Sequence, residues 1–343
     1  MSNSKQKIRV GILGLGGIAT NHLEAIKSNS DLFELKAVCD KNENILSEFS
    51  SPISTYSEYE EMLLDRAIDL ISICTPSGMH SYQSIMAGRK NIHVITEKPM
   101  AVKLQDAQDM LKEFQRSKAK LFVVKQNRLN NNIKILKELI DKGILGKIHF
   151  VQSNVFWTRP QEYYDKENWR GTKEHDGGAL MNQASHYVDL LYWLFGPVKS
   201  LNAFASTTRD IETEDTGVVN LQFISGALGS MNYTMLTYPK NFEGSITVIA
   251  EKGTIKIGGT ALQKIERWDL EDNSYDNILE ETSDTSNSQK SHGHSEYYKN
   301  VAEVLKNESK AICDGEDGIK SLQILEATYE SVESSSTIYL NQE

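Results

Sequence analysis

Asn182, His186 and Asp189 fall at i, i+4 and i+7, a spacing that lines three polar groups along one stripe of an α-helix. Tyr187, Leu190, Leu191 and Leu194 lie about 130° away on the same helix and would pack. The polar stripe therefore presents an imidazole, whose ordinary pKa of about 6.5 suits it to accept a proton at neutral pH. A lone histidine on a helix is more often a hydrogen-bonded core group; the stripe is what points to chemistry. Asp176, ahead of Gly177-Gly178, is the expected N-cap, and Gly196-Pro197 ends the helix. The second candidate is Lys98 in Thr96-Glu97-Lys98-Pro99. An ammonium at a strand tip can hydrogen-bond and stabilise a developing alkoxide. A base and a cation together suit proton transfer with charge stabilisation, with His186 the expected base and the two roles open to exchange.

These groups need elements to hold them. Ile8 to Leu13 is an apolar strand running into Gly14-Leu15-Gly16-Gly17-Ile18-Ala19, followed by a helix over 21–27. Gly14 allows a tight turn, Gly16 lets backbone approach a pyrophosphate, and Ala19 permits close helix–strand packing. The second strand, Phe33 to Cys39, ends in Asp40, 24 residues after Gly16. An acid there holds an adenosine ribose diol and repels a 2′-phosphate, so NAD is expected over NADP, although Lys41 is adjacent. Strand–helix alternation continues through 68–73 and 77–87, then 92–95 and 104–115, and closes at 121–124. The sheet is thus parallel and doubly wound, with polar loops at its carboxyl edge around Thr75, Pro76, His80, Glu97 and Lys98. The expected domains are 1–126, a Rossmann domain, and 127–343, an α+β substrate and oligomerisation domain.

The second half follows a different pattern. A helix over 133–141 and a strand over 147–157 precede the helix of His186, and strands then recur near 200–208, 216–223, 228–234, 244–250 and 254–257. They predict an open, mostly antiparallel sheet. The polar stretch 271–291 reads as an exposed excursion, and helices over 296–306 and 318–334 finish the chain. His292 and His294 have a spacing that could suggest a metal, but no third ligand accompanies them in sequence, so they read as loop or helix-start residues.

Composition narrows the function classes. A formal net charge of −10 argues against nucleic acid. No apolar run approaches the roughly 18 residues that cross a bilayer, and no apolar signal region precedes the first strand, which predicts a cytoplasmic protein. Three cysteines without a Cys-x-x-Cys pair imply neither disulfide framework nor zinc site. At 343 residues two domains are expected.

With Gly14-x-Gly16-x-x-Ala19, Glu97-Lys98-Pro99, and Gly177-Gly178 through His186 and Asp189 in order, the whole chain resembles the glucose–fructose oxidoreductase/inositol dehydrogenase/MocA family. The resemblance implies a Rossmann domain, a C-terminal domain whose open sheet makes subunit contacts in a homo-oligomer, and Lys98 and His186 flanking nicotinamide and substrate. Trp169-Arg170-Gly171-Thr172, Met181 through Asp189, and Met235 through Asn241 followed by Glu243 to Thr247 are similar to the UDP-N-acetylglucosaminuronate 3-dehydrogenases. These supply a 3-keto UDP-sugar for bacterial surface polysaccharide. That narrower resemblance implies that Asn182 and Gln183 orient the sugar, with Arg159, Arg170, Tyr238, Lys240 and Asn241 around its charged groups. It implies cofactor contacts from Gly14, Gly16, Gly17, Ile18, Asp40, Thr75, Pro76, His80, Glu97 and Lys98. The window 159–173 also holds Glu162, Asp165 and Glu167 and is no simple basic patch. Many family members have Asp where this chain has Asn182. The rival readings are a dehydrogenase of another sugar or cyclitol, an NAD-dependent glycosidase acting through C3 oxidation, and a non-catalytic dinucleotide sensor.

Overall fold

Continuous apolar runs such as Ile8–Leu13 bury both faces, as strands of a helix-covered parallel sheet must. In the computed structural model, which describes residues 7–272 and 289–340, the chain forms two compact units. Unit 1 contains residues up to Gln126 together with Lys290–Ile319; unit 2 contains Asn127–Gln289 and the residues from Lys320. The continuous 127–343 domain expected from the sequence is therefore interrupted by a segment that packs with unit 1.

Unit 1 is built on β1 (Ile8–Leu13), β2 (Phe33–Cys39), β3 (Ser54–Tyr56), β4 (Leu70–Ile73), β5 (His93–Thr96) and β6 (Leu121–Val123). Their order is β3-β2-β1-β4-β5-β6 and every pairing is parallel. Strand order reverses between β1 and β4, the switch point where open α/β sheets bind ligands beyond the strand ends. Helices α1 (Ala19–Ser28), α2 (Glu43–Leu46), α3 (Tyr59–Met62), α4 (His80–Arg89) and α5 (Leu104–Arg116) connect the strands. The late-sequence contribution is tied in by Tyr297, whose hydroxyl donates to the Val123 carbonyl at 2.6 Å.

In unit 2, α6 (Asn131–Asp141), β7 (Ile148–Phe156) and α7 (Gln161–Asp165) lead to a π-helical turn, Leu180–Ala184, and then α8 (Ser185–Phe195). Strands β8 (Val198–Ser206), β9 (Thr216–Phe223), β10 (Leu228–Thr234), β11 (Glu243–Ala250), β12 (Gly253–Gly258) and β13 (Lys264–Leu270) follow. Helices α9 (Gln289–Leu305) and α10 (Gly315–Ser334) precede a short β14 (Ile338–Tyr339). The sheet order is β13-β12-β11-β7-β10-β9-β8-β14, antiparallel except for β7 with β10. Alternation along β9 and β10 buries one face, where Leu180, Val188 and Leu191 meet Val219, Leu221, Met231 and Ile324. Phe204 pairs with Val218, and Leu228 pairs with Phe150, itself opposite Ile249. Of these, Phe204, Val218, Leu228 and Ile249 are exposed. Most of the expected excursion at 271–291, and the side chain of His292, lie outside the described residues. Among the described residues, no helix is long and apolar enough to cross a membrane.

Candidate active site

The turn after β1 is shaped for close approach. Gly14 has φ +85°, and a Cβ there would stand 3.0 Å from the backbone of Cys74 and from Thr75, so the residue is dictated by the neighbouring β4 tip. A Cβ on Gly16 or Gly17 would meet no atom within 4 Å, and Ile18 caps α1 without a side-chain acceptor. Open space before uncapped N–H groups suits a phosphate. Asp40 accepts from Leu15 N at 2.7 Å and Asn42 N at 2.8 Å, which fixes its carboxylate against the glycine turn, where a ribose diol is held. These residues fit a dinucleotide.

The two loops at the carboxyl edge are strapped together by His80. Its Nδ1 lies 2.7 Å from the Pro99 carbonyl and its Nε2 lies 2.8 Å from the Thr75 carbonyl. Burial pushes this imidazole's pKa down. His80, expected among the cofactor contacts, is therefore a buried tie between loops, because both ring nitrogens face backbone. Thr75 donates to Gln83 Oε1 at 2.5 Å. Glu97, also expected among the cofactor contacts, has its carboxylate engaged within the protein. It turns inward, 4% exposed, with Oε1 at 3.1 Å from His22 Nε2 and 3.3 Å from His294 Nε2, and Oε2 accepting from the Lys98 amide at 3.1 Å. His294, read from sequence as a loop or helix-start residue, is thus buried on α9 in a cluster whose ligand-type atoms all lie within 4.8 Å. Lys98 itself is half-buried.

In unit 2 the expected α-helical stripe is interrupted. Leu180–Ala184 winds as a π turn before α8 begins at Ser185. Asp176 is not the N-cap, because Ala179 occupies that position. Its carboxylate instead accepts from Gly171 N at 2.8 Å and from the side-chain amide of Asn182. Glu214 caps the first turn, accepting from Leu180 N at 2.8 Å and Tyr329 hydroxyl at 3.0 Å. Gly178, at φ +116°, has no Cβ because Glu214 Oε2 lies 2.1 Å from where one would be. Burial, partly offset by the Leu180 amide and the Tyr329 hydroxyl, raises the Glu214 pKa to about 7; nearby Asp176 adds to the rise. Asp189 does not present itself beside His186. It is 2% exposed and bidentate with buried Arg128, at 2.8 Å for Nε and 2.8 Å for Nη2. His186 remains half-buried on the first turn of α8.

Several expected substrate residues converge. Arg159 donates through Nη2 to Gln183 Oε1 at 2.7 Å and through Nη1 to the Thr158 carbonyl at 2.7 Å. Its guanidinium stands 5.3 Å over the Tyr163 ring and that of Arg170 stands 4.2 Å over the same ring. Gln183 donates to the Tyr163 hydroxyl at 3.0 Å, and Asn241 accepts from Thr158 N at 2.9 Å. The sequence did not single out Tyr163, since the helix that carries it, Gln161–Asp165, ends before Arg170. Tyr238 is 95% exposed and Lys240 is exposed beside it; from the same turn Asn241 Oδ1 lies 3.5 Å from Arg159 Nη1.

A family model described as the NAD-binding Rossmann fold of an oxidoreductase family matches residues 8–125, and one described as its C-terminal alpha/beta domain matches 137–340. The myo-inositol 2-dehydrogenase of Thermotoga maritima is 30% identical, over 72% of this chain and 74% of its own. The NADP-dependent scyllo-inositol 2-dehydrogenase of Bacillus subtilis is 26% identical over 97% and 96%. The WlbA dehydrogenase of Bordetella pertussis, solved with NADH and UDP-GlcNAcA, is 44% identical over 99% of both chains with a TM-score of 0.95. The WlbA enzyme of Chromobacterium violaceum, solved with the same ligands, is 43% identical over 99% and 97%, with a TM-score of 0.93.

Proposed function

The chain belongs to the glucose–fructose oxidoreductase/inositol dehydrogenase/MocA family, and from that premise we propose that it oxidises the C3 hydroxyl of UDP-N-acetyl-D-glucosaminuronate to the 3-keto sugar. It is an NAD-dependent dehydrogenase. The proposed setting is the cytoplasm, on a route to bacterial surface polysaccharide. Bound NAD⁺ supplies the hydride acceptor. His186 removes the C3 hydroxyl proton, and Lys98 hydrogen-bonds the oxygen as charge develops on it. Asn182 and Gln183 orient the sugar. The substrate carries a diphosphate and a carboxylate, and the observation that carries this reading is the pair of guanidinium groups, Arg159 and Arg170, stacked at Tyr163, with Arg159 and the Tyr163 hydroxyl both bonded to Gln183. A neutral cyclitol would leave both without an anion. Full-length likeness to two dehydrogenases solved with UDP-GlcNAcA supports the same substrate. The exposed rows of Phe204 with Val218 and of Leu228 with Ile249 support a homo-oligomer through the open sheet face.

The test is turnover of NAD⁺ with UDP-GlcNAcA, UDP-N-acetylglucosamine, myo-inositol and a simple glycoside, run both catalytically and at stoichiometric enzyme, with product masses. Loss of two hydrogens from an intact UDP-GlcNAcA is the expected result; preferential oxidation of myo-inositol or cleavage of a glycoside would overturn the reading. His186→Ala and Lys98→Ala should each lose about 10²–10⁴-fold in turnover while still binding NAD⁺. A variant within a few-fold of wild type removes that residue from the machinery.

A further inference from the structure

Guanidinium and amide nitrogens only donate hydrogen bonds, and this fixes the direction of every link around Tyr163. Arg159 Nη2 lies 2.7 Å from Gln183 Oε1, so the amide oxygen of Gln183 faces Arg159 and its nitrogen faces Tyr163. Gln183 Nε2 donates to the Tyr163 hydroxyl at 3.0 Å, and Arg170 Nη1 donates to the same oxygen. The phenol oxygen thus accepts twice, and among the described residues no acceptor meets its own proton. The cations beside it also lack an anion of their own chain. Arg159 donates to the Thr158 carbonyl, Asn241 and Gln183, and Arg170 to Tyr163, none of them a carboxylate. Both guanidinium groups stand over aromatic rings, Arg159 over Trp157 at 5.4 Å, Arg170 over Trp169 at 4.7 Å, and each over Tyr163. Stacking of this kind covers a guanidinium face and leaves its N–H edge for an acceptor. Of the acids nearby in sequence, Asp165 accepts from Gln161 at 3.0 Å, and Glu162 and Glu167 are exposed.

We infer that Tyr163 is a substrate-binding residue: its hydroxyl donates to an anionic oxygen of the substrate, as the third donor of a site whose other two are Arg159 and Arg170. This rests on the reading of those guanidinium groups as the anion site and adds the residue that gives the site a direction. Two guanidinium groups can hold an anion in many orientations, whereas a single O–H whose oxygen is held by Arg170 and Gln183 points one way. Gln183 belongs to the π turn Leu180–Ala184, so the donor is held in register with the segment that carries the sugar-orienting residues. The acceptor is an oxygen of the diphosphate or of the uronate, which share the same charge-assisted chemistry.

The experiment is calorimetric titration of the NAD⁺-loaded protein with UDP, glucuronate, UDP-N-acetylglucosamine and UDP-GlcNAcA. Tyr163→Phe keeps the ring at which both guanidinium groups stand and removes the donor. It should weaken anion binding by about 10- to 100-fold, the loss expected for a hydrogen bond to a charged group, and leave NAD⁺ affinity unchanged. Loss shared by UDP and UDP-N-acetylglucosamine assigns the oxygen to the diphosphate; loss confined to glucuronate and UDP-GlcNAcA assigns it to the carboxylate. A Tyr163→Phe protein that binds every one of these anions within a few-fold of wild type overturns the proposal, as does a wild type that binds none of them. The variant also deprives Arg170 and Gln183 of an acceptor, so a second measurement isolates the proton. A ring-fluorinated tyrosine at position 163, whose phenol ionises near neutral pH, keeps the accepting oxygen but loses the proton as pH rises. Its affinity for the anions, relative to wild type at each pH, should fall as its phenolate absorbance grows. A ratio that stays flat means that the hydroxyl only braces its neighbours, which overturns the proposal. Should Tyr163→Phe fail to fold, the fluorinated protein decides alone. These titrations need no turnover, so UDP binding that depends on the Tyr163 hydroxyl in a protein that oxidises some other sugar would keep this inference and end the UDP-GlcNAcA reading.

Discussion

Asn182 donates its amide to Asp176 and so already faces an acid of its own chain. Aspartate at 182 would set two carboxylates against each other, with Glu214 close enough for Asp176 to raise its pKa. Such a pair shares one proton, and its raised folded-state pKa makes the cost appear as pH rises above the ordinary carboxylate range. Asn182→Asp is therefore expected to destabilise by roughly 1–3 kcal/mol at pH 8 and less at pH 5, and to weaken UDP-GlcNAcA and UDP-N-acetylglucosamine by similar factors. Denaturation at both pH values and calorimetric titration with both ligands check this. Weakening confined to the uronate would instead mean repulsion of the substrate's own carboxylate. At this scale the sequence located Lys98 just past a strand tip and His186 on a helix, where the structure has them, and their roles, like those of Arg159 and Gln183, are part of the proposal. Glu214, Tyr163 and His22 were not legible, since each is tied to a neighbour well separated in the chain, Leu180, Gln183 and Glu97 respectively.

The helix that carries His186 begins irregularly. Glu214, just ahead of β9, caps Leu180 N, and from there the chain winds as a π turn, a feature that recurs at functional sites. The stripe inferred from 3.6-residue spacing therefore placed Asp189 on the wrong duty: it anchors α8 to Arg128. Strand assignments succeeded where alternation was strong, as in β9 and β10, and missed β13, whose Lys-Ile-Glu-Arg-Trp-Asp-Leu is mostly exposed at a sheet edge. Glu214 also makes the element sensitive to pH. Its folded-state pKa of about 7 lies above the ordinary 4.5, so its contribution is full below the ordinary value and is lost as pH rises toward 7. The loss should reach up to about 3 kcal/mol. Urea denaturation at pH 5 and pH 8 should show this fall in wild type and a flatter response in Glu214→Gln; an equal fall in both would assign it to another group.

Across the molecule, a net charge of −10 means that an anionic substrate depends on local guanidinium groups, and turnover should be sensitive to loss of either. Phe204, Val218, Leu228 and Ile249 share one sheet face and supply an apolar surface for a second copy. Wild type should sediment above the 38.6 kDa of one chain, and a Phe204→Lys, Leu228→Lys double variant should shift to that mass; unchanged assembly would clear this face. The class of each half was legible from its pattern of strands and helices. The return of Lys290–Ile319 to unit 1 was not, because a helix's periodicity shows that it packs and not against what. That return has a consequence during synthesis. The glycine turn and Lys98 leave the ribosome early, but His294, Tyr297 and Tyr298 follow only after the intervening sheet has been translated. Until then the nascent Rossmann sheet lacks part of its support for Glu97 and Val123, while β7 to β12 can already pair among themselves. A gene cut after residue 126 would encode the cofactor turn and the lysine without the groups that seat them, so the dinucleotide module of this protein is not a portable N-terminal piece.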